Sequence, residues 1–126
     1  MTQISINFNN CLNLDDGTMF NIRNHTVTGI LHDKNLWHIL LAYNSNRNTH
    51  SVIFHNRKTC EISMLTDSFN NIDLNVASNA IFQGNLLDVA FETDKVIMIK
   101  KNSDYWKLGF ISEDNTNSTI KYSKLN

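Results

Sequence analysis

The sequence predicts an all-β fold of antiparallel strands, a single β-sandwich or partly open β-barrel, with an α+β variant if one short helix forms. Three observations carry this expectation. Nearly every apolar stretch alternates with period two rather than 3.6. Each is bounded by Asn, Asp, Gly or Ser, and in a chain of 126 residues without proline, asparagine takes over turn duty because it tolerates left-handed backbone and hydrogen-bonds its own chain. The connections are short, as antiparallel neighbours require.

Taken in order, Gln3 to Asn9 alternates Ile4, Ile6 and Phe8 as a first strand. Asp15-Asp16-Gly17 is the strongest turn signal and joins it to Thr18–Arg23, because Asp-Gly between extended runs suits hairpin turns. An Asn24-His25 turn then leads into Thr26–His32, with Ile22 facing Val27. Leu36–Tyr43 and His50–His55 form the next hairpin, and Cys60–Leu65 follows as its third strand. Between Thr66 and Asn79 the pattern is double: Ile72, Leu74 and Val76 alternate, while Phe69, Ile72 and Val76 also share one face of a short helix near Phe69 to Ala77. Leu86–Phe91 and Val96–Lys100 flank Glu92–Lys95 and are apolar on both faces, as doubly covered strands are. Trp106, Leu108 and Phe110 share a face of another strand, Ser112–Ser118 reads as a loop, and Thr119–Tyr122 as a short last strand.

Residues 1–126 read as one β-rich domain, long enough to bury a core without staples. Eleven basic against 12 acidic residues leave a net charge of −1, which disfavours a nucleic-acid phosphate backbone as the main partner. Neither a charged leader nor a long apolar run appears, so the expected location is the cytoplasm, away from any membrane. Cys11 and Cys60 form no Cys-x-x-Cys and read as reduced thiols, the reading that also empties the Asn24-His25-Thr26 and Asn117-Ser118-Thr119 sequons of meaning. The glycines Gly17, Gly29, Gly84 and Gly109 do not cluster, so no phosphate-cradling loop is expected.

One constellation carries possible chemistry. With a loop over Asn44–Thr49, Tyr43 pairs with His50, Leu41 with Val52 and Ile39 with Phe54, and His38 then faces His55 on the second face. Pairing Ile62 with Phe54 adds Glu61 to the row. Two imidazoles and a carboxylate are a ligand set for zinc or iron(II), hence for a metal-dependent enzyme on a small β-barrel using a divalent ion. The competing account is a polar row on a partly solvated face. Asp15-Asp16 could attract a cation, yet a turn explains both residues. Tyr105-Trp106-Lys107 and Trp37-His38 could stack on single-stranded nucleic acid, although a Trp alternating with Leu and Phe belongs to a core.

No catalytic signature is specific, and binding without a cofactor is the expected role. Size, charge and composition suit a non-catalytic protein-binding domain, an inhibitor or immunity protein that neutralises a toxin or enzyme by occlusion, with a structural subunit as a further possibility. Its contacts would come from loops: Arg47 in Asn44–Thr49, Arg57 and Lys58 in Asn56–Thr59, and Lys101 and Tyr105 in Lys101–Tyr105.

Overall fold

The computed structural model describes residues 1–7, 10–21, 39–44, 49–54, 60–82, 88–90, 94–114 and 116–126. These are mostly strand: β1 (Thr2–Asn7), β2 (Asn10–Leu12), β3 (Met19–Asn21), β4 (Ile39–Asn44), β5 (Thr49–Phe54), β6 (Cys60–Leu65), β7 (Asp88–Ala90), β8 (Val96–Lys101), β9 (Asp104–Glu113) and β10 (Asn117–Leu125). The fold is all-β. Two antiparallel five-stranded sheets form, the first in the order β1-β10-β9-β8-β6 and the second β3-β2-β4-β5-β7. The chain passes between them after β1, β5, β6 and β7.

The first sheet shows why alternation and double burial both appear in the sequence. On one face Ile6, Ile62, Ile97, Ile99, Leu108 and Ile120 form a core that also takes in Leu12 and Leu14 from the β2 end of the second sheet. On the other face Val96 and Met98 pack under Phe69, Ile72 and Ala77. Val96–Ile99 are consecutively buried for this reason: β8 lies between β6 and β9 and has a core on each side. The expectation of a doubly covered strand holds here.

The cover on the second face is the segment read two ways in the sequence; it coils into a 3-10 turn and a helix of six residues, too little to make the fold α+β. A 3-10 turn, Phe69–Asn71, precedes α1 (Leu74–Asn79). Asp73 caps α1, its carboxylate accepting from the Val76 N–H at 2.9 Å. Lys107 on β9 fastens the segment, donating to the Phe69 carbonyl at 2.6 Å and the Ile72 carbonyl at 3.0 Å. Two ammonium groups lie over the Phe69 ring, Lys107 Nζ at 4.4 Å and Lys121 Nζ at 4.6 Å from its centroid. It sits so close to the sheet that a Cβ on Gly109 would come within 3.0 Å of Phe69 Cδ2.

The β4–β5 hairpin has the expected register, with Ile39 opposite Phe54, Leu41 opposite Val52 and Tyr43 opposite His50. The third strand does not. β5 takes β7 as its neighbour, and β6 crosses to the first sheet, where Ile62 faces Ile99 and Glu61 faces Lys100. Alternation specifies which face of a strand is apolar, not which strand lies beside it. The Ile62/Met64 face is satisfied equally against Ile97 and Ile99, and a link over residues 55–59 can reach either sheet, since stacked sheets lie only about 10 Å apart. The Glu61–Lys100 juxtaposition adds an opposite-charge cross-strand pair.

Other boundaries move for local reasons. The Asp15-Asp16-Gly17 turn does join β2 to β3, but as a wider loop than a two-residue hairpin: the Asn13 N–H donates to the Thr18 carbonyl, and the Gly17 N–H to the Asn13 carbonyl. Gly17 has φ 75°, the left-handed conformation a Cβ disfavours. The expected loop Ser112–Ser118 is largely strand, because the Asp114 carboxylate closes a tight turn by accepting from the N–H groups of Thr116 and Asn117, each at 2.8 Å. β10 is accordingly longer than Thr119–Tyr122. The expected strand Thr26–His32 lies outside the described residues.

Candidate functional site

The β8–β9 hairpin turns at Asn102-Ser103, with Lys101 opposite Asp104 and Lys100 opposite Tyr105. Asn102 has φ 56°, which a two-residue hairpin loop needs and which Asn accepts more readily than most residues. The side chains around this tip are held in place. The Tyr105 ring packs against Phe82 with centroids 5.7 Å apart, and Lys100 Nζ lies 5.9 Å from both ring centroids. Lys101 Nζ forms a 3.0 Å ion pair with Asp15, at 17% exposure of the lysine side chain, tying the tip to the β2–β3 turn.

Beside the tip opens a cleft of about 460 Å³. One wall is the β2–β3 turn, with Asp15, Asp16 and Gly17; the other is the end of β10, with Tyr122 and Lys124. Leu14, Ile4 and Trp106 are among the other residues that line it. Asp16 is engaged locally, its Oδ1 accepting from the Thr18 N–H at 2.9 Å and the Thr18 hydroxyl at 2.7 Å. Lys124 pairs with Asp104 at 3.7 Å, and its Nζ lies 5.5 Å from the Trp106 ring centroid. Chemically, this end of the first sheet combines carboxylates, ammonium groups and aromatic rings in fixed positions, a set suited to recognition.

Of the residues singled out from sequence, Lys101 and Tyr105 both lie at this tip but on opposite faces of the sheet, Tyr105 beside Lys100 and Phe82 and Lys101 toward Asp15. Arg47, Arg57, Lys58, His38 and His55 lie outside the described residues. Glu61 is exposed and faces Lys100, not the β5 strand, so the pairing that placed it beside His55 does not form. Among the described residues no three His, Cys, Asp or Glu side chains gather to hold a metal ion. Trp106 is only 2% exposed and Lys107 is spent on two carbonyls, so neither offers a stacking platform to a nucleobase. Cys11 is a free thiol in the interior, where burial pushes its pKa up to about 12.

Phe82, Lys100, Asp15 and Lys124 were not singled out as contact residues. Lys100 was within reach of sequence reasoning, since a two-residue turn at Asn102-Ser103 forces it opposite Tyr105. Phe82 and Asp15 were not, because both arrive from distant segments. Among the described residues no helix is long and apolar enough to cross a membrane. No protein-family model, curated protein or solved structure matches the chain.

Proposed function

We propose that this protein is a non-catalytic protein-binding module of the inhibitor or immunity type, neutralising a toxin or enzyme in the cytoplasm by occlusion. The observation that carries the reading is the pre-organised β8–β9 tip. Interfaces draw most of their energy from a few aromatic and cationic anchors, and anchors held before the partner arrives lose less entropy on binding. Tyr105 fixed by Phe82 and Lys100, and Lys101 fixed by Asp15, have this character. Arg47, Arg57 and Lys58 are the further contact residues of the proposal. The free, buried Cys11 thiol supports a reducing compartment.

Native mass spectrometry of the tagged chain, recovered from its own cells without chelator, is the first test. A complex with one defined polypeptide is expected, and Tyr105→Ala with Lys101→Ala should weaken it by at least about tenfold, a typical hot-spot loss. Tyr105 also packs on the second-face core, so Tyr105→Ala costs some stability, and affinity is compared under conditions where the variant keeps the parent's circular dichroism spectrum. Full affinity in the double variant overturns the assignment of the tip, and a single metal ion in place of a polypeptide overturns the binding reading itself.

A further inference from the structure

β1 forms one rim of the first sheet. β10 pairs along one side of it, in a continuous register from Thr2 opposite Tyr122 to Asn7 opposite Asn117, and no described strand pairs along the other. Gln3, Ser5 and Asn7 are exposed on one face; Ile6 is buried in the core on the other, with Ile4 half-buried beside it. Open rims are normally protected by a charged residue, a proline or a bulge, since a bare row of N–H and C=O groups is a template for another strand. β1 has none of these. The opposite rim, β6, carries the carboxylate of Glu61.

The order of residues says which strand fits. From Gln3 to Asn7 the sequence Gln-Ile-Ser-Ile-Asn has the same polarity read in either direction, with Ser5 at its centre. We propose that β1 pairs antiparallel with β1 of a second copy of this chain, about a twofold axis through Ser5, joining the two first sheets into one continuous sheet. In this register Ser5 faces Ser5, each Ile4 faces Ile6 of the second copy, and each Gln3 faces Asn7. The isoleucine pairs extend the apolar face across the junction and cover the half-buried Ile4. The amide side chains meet on the outer face, where each can donate to the other. No like charges are brought together, and a twofold contact of one patch with itself closes after two copies.

The test uses the full chain in sedimentation velocity and in disulfide trapping. The unmodified protein is expected to sediment as a dimer at micromolar concentration. Ser5→Lys sets two ammonium groups against each other on the axis and should give a monomer with an unchanged circular dichroism spectrum. Ser5→Cys should yield a covalent dimer under mild oxidation, because facing residues of antiparallel strands lie roughly 4.5–5.5 Å apart at Cα, within disulfide reach. Gln3→Cys, which faces Asn7, should cross-link far less, and the parent chain with Cys11 and Cys60 sets the background. A monomeric parent overturns the pairing and leaves the β1 rim to a strand of another protein. A dimer that Ser5→Lys leaves intact and Ser5→Cys fails to trap overturns it as well, by placing the contact elsewhere.

Discussion

Lys107 is the residue at which charge, packing and fold meet. At 9% exposure it is buried between the sheet and the segment that covers it, and its ammonium serves two carbonyls that end the 3-10 turn. Replacing it with Met keeps the apolar stem but strands the Ile72 carbonyl and leaves the Phe69 carbonyl only the 3.4 Å bond from the Ile72 N–H, a loss of about 1–3 kcal/mol measurable by urea unfolding. Burial, and then the charge of Lys121, hold its pKa below the ordinary lysine value of 10.5, against a smaller opposing effect of Asp73. Between that lowered value and 10.5 the unfolded chain binds the proton more readily than the folded one, so stability gains from Lys107 as pH rises through this window. The neutral amine still has two N–H donors for its two carbonyls. The stability difference between the parent and Lys107→Met should therefore widen towards alkaline pH, and a difference that narrows there would contradict the assignment.

Among the elements, turns are where single residues decide whether strands meet. The β2–β3 loop depends on Gly17 at φ 75°, and Gly17→Ala should cost about 1–2 kcal/mol, the usual penalty for a Cβ in left-handed backbone. The β8–β9 turn depends on Asn102 at φ 56°, which Gly replaces without such a penalty, so Asn102→Gly should leave the midpoint of urea unfolding nearly unchanged. The contrast between the two variants separates backbone strain from loss of contacts. Sequence reading located both turns' neighbourhoods, through the Asp15-Asp16-Gly17 signal and the polar stretch Lys101–Tyr105 between extended runs. It misjudged the width of the β2–β3 loop, since the side-chain hydrogen bonds of Asn13 and Asp16 that shape it depend on rotamers within the formed loop.

At the scale of the whole molecule, the two sheets are joined through one core. Leu12 belongs by hydrogen bonding to the second sheet but is packed among Ile6, Ile62, Leu108 and other residues of the first. Leu12→Ala should cost about 2–5 kcal/mol, as a large-to-small substitution at a fully buried site does, and should lower one cooperative transition rather than split it. Two separate transitions in denaturant would mean that the sheets do not share their stability. The Lys101–Asp15 ion pair also links the sheets, but Asp15 is half exposed, and water screens such a pair to little net worth. Packing, not charge, holds them together.

By itself the sequence determined what depends on neighbours along the chain. Alternation placed β1, β6 and β9 and assigned their inward residues, as with Ile6, Ile62, Trp106 and Leu108, because side chains on a strand point to opposite faces in turn, and the uninterrupted apolar run Val96–Ile99 marked β8 as covered on both faces. It set the β4–β5 register from loop length alone. Phe69, Ile72 and Val76 at helical spacing left the helical alternative open for the segment that holds α1. What only the tertiary structure decided was partnership across distance. β6 has an apolar face that either sheet could accept, and its placement beside β8 separates Glu61 from the strand that carries His50. Phe82 and Asp15 reach the β8–β9 tip from segments that no local pattern connects to it. Burial of apolar area is non-directional, so it rewards any arrangement that covers the same faces, and the choice among them rests on the packing of the whole chain at once.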